Sequence, residues 1–141
     1  MNRESILIAV IDGQGGGFGR TLIAALRSAG VQEEIIAVGT NSAATSAMLK
    51  AGATAGATGE NAAVVNAARA EILAGPIGLV MANSMLGECS PAIACAVAES
   101  RAQKVLIPVS KCGAWIAGLP EKPLAAYISD AVALILELLK Q

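Results

Sequence analysis

Residues 13–19 read Gly-Gln-Gly-Gly-Gly-Phe-Gly and follow an apolar run that ends at Asp12. Glycines between a strand and a helix let the backbone turn with positive φ, and they let a ligand approach the N–H groups without meeting a Cβ. The helix N-terminus behind them adds unpaired donors and a partial positive charge. We therefore predict an anion site, most often for a nucleotide, while the alternative is a tight turn without a ligand. The predicted binding residues are Asp12, Gly13, Gln14, Gly15, Gly16, Gly17, Phe18 and Gly19.

The glycine spacing has a G-x-x-x-G-x-G form and is similar to that of short-chain dehydrogenases. Their Tyr-x-x-x-Lys pair is missing, because Tyr127 is followed four residues later by Ala131. The acidic residue that holds the adenine ribose at the end of the second strand is also missing, since residues 39–41 read Gly-Thr-Asn. A hydride-transfer enzyme of that class is not expected, and the cofactor stays open, with a nucleotide or dinucleotide as one option.

Small polar residues follow the other predicted strands as well. Ligands of open parallel sheets bind beyond the carboxyl ends of the strands, so these segments are expected to meet at one edge. The further candidate binding residues are Thr40, Asn41, Ser42, Thr58, Gly59, Asn61, Asn83 and Ser84.

Two glutamates in the same segments are candidate catalytic bases, Glu60 and Glu88. The chain has no histidine, so acid–base chemistry would fall to carboxylates, lysine or tyrosine. The alternatives are structural: a glutamate in a first helical turn interacts favourably with the helix dipole, and one in a surface loop is simply solvated.

Composition excludes several classes of function. The net charge is −1 without a lysine or arginine cluster, and there is one Phe, one Trp and one Tyr, which argues against nucleic-acid binding. No secretory start and no membrane-length apolar segment is seen, so we expect a cytoplasmic protein without a membrane partner. The 141 residues are expected to form a single domain, residues 1–141.

The three cysteines form no CxxC pair, and without histidine they indicate neither disulfides nor a metal site. Cys95, within an alanine-rich helical segment, is expected to be a small core residue.

Apolar runs alternate with amphipathic segments of helical length. Strands are predicted at 6–11, 34–38, 72–74, 78–82 and 105–109, with a weaker one at 114–119. Helices are predicted at 18–29, 42–51, 61–70, 91–102 and 124–140. Continuous Val/Ile/Leu runs are typical of strands buried on both faces of a parallel sheet. The fold class is therefore α/β, a three-layer Rossmann-like fold with a mainly parallel sheet of five or six strands.

The last predicted helix carries apolar residues around well over half its circumference. A helix on an open sheet normally has one apolar stripe, so the excess predicts burial against a second subunit and a homo-oligomer. The alternative is that the extra leucines lie at a fraying end.

Nearly the whole chain resembles a small bacterial family of unknown function. The segments that carry this resemblance are 9–19, 38–53, 58–70, 75–92 and 106–110. A weaker likeness in layout is to methylglyoxal synthase, in which a Gly-Thr-Thr turn holds a triose phosphate and a carboxylate follows a Gly-Gly turn. That likeness implies phosphate binding by residues 40–42, 58 and 59, with Glu60 as the base. The histidine of that enzyme has no counterpart here, and Asn83 stands where its second carboxylate would be.

We thus expect a protein that binds a nucleotide or another phosphorylated small molecule at its strand ends, as a sensor, carrier or enzyme. One alternative is a lyase or isomerase that acts on a small phosphorylated substrate with a carboxylate base. Another is a structural assembly protein that binds no ligand.

Overall fold

The computed structural model describes residues 5–109 and 111–141. The strands are β1 (Leu7–Asp12), β2 (Glu34–Gly39), β3 (Ala55–Thr58), β4 (Ile72–Pro76) and β5 (Gln103–Ile107). The helices are α1 (Gly17–Ser28), α2 (Ser42–Lys50), α3 (Glu60–Arg69), α4 (Pro91–Glu99) and α5 (Leu124–Leu139), and a single 3-10 turn covers Ile77–Val80. Among these residues no helix has the length and apolar character needed to cross a membrane.

The five strands form one parallel sheet in the order β3-β2-β1-β4-β5. One face packs against α1, α2 and α5, and the other against α3 and α4. Central strand residues such as Ile8, Val10 and Ile11 are fully buried, as the unbroken apolar run predicts. The predicted three-layer α/β fold is therefore confirmed.

Two predicted strands are wrong and one strand was missed. The run 78–82 lies in the 3-10 turn and the loop after it, because Leu79 folds back onto Gly75. The segment 114–119 forms turns. Strand β3 was not predicted, because it is a four-residue edge strand of small residues, Ala-Gly-Ala-Thr, and has no run of large apolar side chains.

Helix α4 ends three residues before its predicted end at Ala102. The Ser100 hydroxyl donates to the Ala67 carbonyl (2.6 Å) and accepts from the Ala102 N–H (3.1 Å), so it turns the chain out of the helix.

Cys95 on helix α4 is exposed, whereas Cys89 is buried, so the expected core position of Cys95 is wrong.

Arg27, near the end of α1, joins the amino ends of two strands, β2 and β3. Its Nε donates to the Gly52 carbonyl (2.9 Å), and Nη1 donates to the carbonyls of Val31 (3.0 Å) and Glu33 (2.9 Å). Its Nη2 donates to Thr54 Oγ1 (3.1 Å). One side chain thus joins the segments that lead into β2 and β3, at the edge opposite the glycine loop.

Candidate functional site

The strand order reverses direction between β1 and β4, and a cleft of about 210 Å³ opens beside their carboxyl ends. Such a switch point is where open parallel sheets bind ligands. The lining residues are Asp12, Gly13, Gln14, Gly15, Gly16, Gly17, Phe18, Pro76, Met85, Val109 and Leu124. The glycine loop predicted from the sequence therefore forms one wall of this cleft.

Three of the five loop glycines are required by packing. A Cβ at Gly13 would lie 2.7 Å from Thr40 Oγ1, and one at Gly19 would lie 2.5 Å from Met48 Sδ. Gly16 has φ of 70° and its Cβ would lie 2.8 Å from the Ala44 Cα. Any side chain at these positions would displace neighbouring atoms.

Gly15 and Gly17 have no such requirement. A Cβ at either position would meet no atom within 4 Å, and neither residue has a left-handed φ. Among the described residues, their backbone N–H groups donate to no protein acceptor. Bare backbone therefore faces open space in the cleft at these two residues.

Asp12 ends β1 and holds the loop from beneath. Its Oδ1 accepts from the Gly13 N–H (2.8 Å) and its Oδ2 from the Gly19 N–H (2.7 Å), at the first turn of α1. Only 4% of Asp12 is exposed. Burial raises the pKa of this carboxyl, which outweighs the lowering effect of the hydrogen bonds, and the negative charge of Glu88 raises it further.

Glu88 joins the glycine loop to the turn after β2. Its Oε1 accepts from Thr40 Oγ1 (2.5 Å), the Gln14 N–H (2.8 Å) and Asn41 Nδ2 (2.9 Å). The hydrogen bond from Thr40, with those from Gln14 and Asn41, lowers the pKa of this carboxyl against a smaller effect of burial. Glu88 is therefore ionised at neutral pH, and the lowered pKa makes it a weaker base than an ordinary glutamate.

Asn41 also caps α2, because its Oδ1 accepts from the Ala44 N–H (2.9 Å) while its Nδ2 donates to the Gln14 carbonyl (2.8 Å). Ser42, the first residue of that helix, is exposed. The predicted residues after β2 thus serve mainly to hold the glycine loop and Glu88 in place.

The predicted residues at the β3–α3 junction lie outside the lining of the cleft. Thr58 Oγ1 is 2.7 Å from Thr45 Oγ1, and Gly59 donates its N–H to the Gly39 carbonyl (2.9 Å). Glu60 and Asn61 are the exposed first residues of α3. The structure does not bring Glu60 together with Glu88, and a catalytic role for either glutamate stays a prediction.

Asn83 and Ser84 shape the loop between the 3-10 turn and α4. The Asn83 N–H donates to the Cys89 carbonyl (2.7 Å), and the buried Ser84 hydroxyl donates to the Gly78 carbonyl (2.5 Å). These contacts hold the loop to itself and to the 3-10 turn. Ser110, which follows the fifth predicted strand, lies outside the described residues.

The sequence did not predict four cleft residues: Pro76, Met85, Val109 and Leu124. Pro76 could have been found, because a proline directly after an apolar run marks a strand end, and it is the last residue of β4. The other three are apolar residues that no motif distinguishes.

A family model for a domain of unknown function (DUF3842) matches residues 7–140. The chain belongs to the DUF3842 family. The predicted membership of a family of unknown function is thereby confirmed. Searches of curated proteins and of solved structures give no match to this DUF3842 chain.

Within the described residues, the chain has no group of three or more His, Cys, Asp or Glu side chains placed to hold a metal ion.

Proposed function

We propose that this protein binds a nucleotide or another phosphorylated small molecule in the cleft beside β1 and β4. The observation that carries the proposal is the pair Gly15 and Gly17, whose lack of a side chain is not explained by packing or by backbone conformation. A phosphate that approaches the backbone closely explains it, because a Cβ would stand in the way. The two N–H groups without protein acceptors supply the donors.

The charge of the site favours some phosphates over others. Among the lining residues that the structure describes there is no lysine or arginine, and the carboxyls of Asp12 and Glu88 lie close to the loop. Compensation of the ligand charge therefore depends on backbone N–H groups and the α1 dipole. A diphosphate carries less negative charge than a triphosphate and therefore suits this site better.

The size of the cleft is consistent with partial enclosure. Its volume of about 210 Å³ is below the roughly 300–1,000 Å³ of pockets that enclose a whole small molecule. The phosphates would occupy the cleft, and the sugar and base would extend along the rim.

Titration calorimetry of the whole chain with ADP and with sodium pyrophosphate tests this proposal. We expect both to bind at one site, ADP more tightly because it adds contacts at the rim, and pyrophosphate to compete with ADP. Native mass spectrometry of protein from its own cells should show a retained phosphorylated ligand. If neither compound binds at millimolar concentration and no ligand is retained, the proposal is wrong.

The protein is also proposed to form a homo-oligomer through the groove between β5 and α5. This groove of about 170 Å³ is mostly apolar, and it is lined in part by Leu106, Pro108, Leu119 and Leu134. Leu134 is 56% exposed, and β5 is an edge strand. Leu136 and Leu139, in contrast, are half-buried against the main core. The excess leucines of α5 are thus divided between the core and this groove.

Replacing Leu134 with Lys should convert the oligomer into monomers, because burying a leucine contributes about 1.5–3 kcal/mol at each interface and a lysine cannot be buried there. Sedimentation velocity at micromolar concentration measures the effect. The control is Ala133→Lys, the same charge change on an exposed neighbouring residue. A monomeric wild-type protein would contradict the proposal.

A further inference from the structure

The carboxylate of Glu88 lies at the carboxyl end of β2, where the sequence itself has no acidic residue. In dinucleotide-binding sheets, an acidic residue at the end of the second strand accepts hydrogen bonds from the adenosine ribose. Here that strand ends in Gly39, and Thr40 and Asn41 follow. Both donate to the carboxylate of Glu88, which reaches this place from the loop before α4.

The two oxygens of this carboxylate are used differently. Oε1 accepts all three hydrogen bonds, from Thr40, Asn41 and the Gln14 N–H. Oε2 accepts none from the residues that the structure describes. The side chain is therefore fixed through one oxygen, while the other retains its capacity to accept from a ligand.

The position of Glu88 relative to the cleft is set by its own partners. The Gln14 backbone that donates to Glu88 also lines the cleft, and a Cβ at Gly13 would lie 3.0 Å from Glu88 Oε1. Met85, three residues before Glu88 in the same loop, forms part of the cleft wall. The carboxylate thus borders the cleft on the side of β2.

The loop that carries Glu88 maintains a costly backbone conformation. Asn83, Met85 and Leu86 have φ of 69°, 56° and 56°, a region that residues other than glycine seldom adopt. The hydrogen bonds of Asn83 and Ser84 hold it in this form. Such strain concentrates at functional sites, and here its result is the placement of one carboxylate and one cleft wall.

From this geometry we infer that Glu88 recognises the ribose of the bound nucleotide, so that the protein selects ligands with a free 2′,3′-diol and rejects those with a 2′-phosphate. This inference rests on the proposed function and adds the class of ligand. A carboxylate without a proton accepts hydrogen bonds but donates none, so it attracts hydroxyl groups and repels a phosphate. A nucleotide whose phosphates lie on the glycine loop would extend its ribose toward this side of the rim.

The experiment measures dissociation constants of two matched pairs of probes, ADP against 2′-deoxy-ADP and NAD⁺ against NADP⁺. Loss of one hydrogen bond to a charged group should weaken 2′-deoxy-ADP about tenfold or more relative to ADP. The 2′-phosphate should weaken NADP⁺ more strongly, on the order of a hundredfold, relative to NAD⁺. In Glu88→Gln both ratios should fall toward one, because the amide keeps the shape and loses the charge.

The control Glu99→Gln makes the same change in net charge at an exposed residue of α4 and should preserve both ratios. A separate titration with pyrophosphate reports on the glycine loop. If pyrophosphate and ADP bind but the two ratios are equal to one in the wild-type chain, or unaltered in Glu88→Gln, the ribose inference is wrong and the proposed function stands. If no probe binds, both are wrong.

Discussion

Replacing Gly15 or Gly17 with Val should abolish binding of ADP and pyrophosphate while the protein stays folded. The β-branched side chain would fill the space through which the phosphate approaches the loop, and we expect at least a hundredfold weaker binding by calorimetry. The fold should tolerate the change, because a Cβ at either position meets no atom within 4 Å and φ is not left-handed. The free energy of unfolding in urea should change by less than about 1 kcal/mol.

Two control variants separate loss of binding from loss of structure. Gly16→Val should destabilise the chain, since residue 16 has φ of 70° and its Cβ would lie 2.8 Å from the Ala44 Cα. Ala24→Val places the same side chain on an exposed position of the same helix, α1, and should alter neither property. Wild-type affinity for ADP in both Gly15→Val and Gly17→Val would refute phosphate binding at this loop.

Asp12→Ala should cause a large loss of stability. The change leaves the N–H groups of Gly13 and Gly19 without their acceptor in a buried position, which costs about 1–3 kcal/mol for each group. Urea unfolding measures the loss. The control is Asp130→Ala, which removes an exposed carboxylate bonded to Lys122 and should cost less than about 1 kcal/mol. Equal losses for the two variants would show that Asp12 is not what holds the loop.

The pH dependence of unfolding follows from the raised pKa of Asp12. Because the folded pKa lies above the unfolded one, the stabilisation that this titration contributes is complete below the unfolded pKa of about 3.9. It is lost as the pH rises through the folded pKa. The difference in unfolding free energy between wild type and Asp12→Asn should therefore decline over that interval. A difference that is constant with pH would mean that burial does not raise the pKa of Asp12.

The sequence was sufficient for elements whose signal is local. Strands β1, β2, β4 and β5 are Val/Ile/Leu-containing runs, and residues such as Asn41 and Ser90 mark helix starts through their side-chain caps. Strand β3 carries no apolar signal, because its small residues serve close packing: a Cβ at Gly56 would lie 2.9 Å from the Thr45 Cγ2. The run 78–82 is as apolar as a strand, and only the contact of Leu79 with Gly75 shows that the chain turns there.

For the site, too, only the part with a local sequence signal could be predicted. The glycine loop is a local pattern, and the structure places it in the cleft beside β1 and β4. The bond between Glu88 and Thr40 joins residues 48 positions apart. No spacing in the chain indicates that a loop residue before α4 lies over the end of β2. The division of the five glycines into three that packing requires and two that it does not is likewise visible only in three dimensions.

Because of Arg27, the two ends of the strands differ in how firmly their flanking segments are connected. Its planar guanidinium donates to three backbone carbonyls and to the Thr54 hydroxyl, and so joins the segments before β2 and β3. The amino ends of β2 and β3 are therefore joined by side-chain hydrogen bonds, while the carboxyl ends of the strands carry the glycine loop and lie beside the loop of Glu88. We therefore expect any adjustment to a bound ligand to occur in these two loops and to leave the amino ends of β2 and β3 in place.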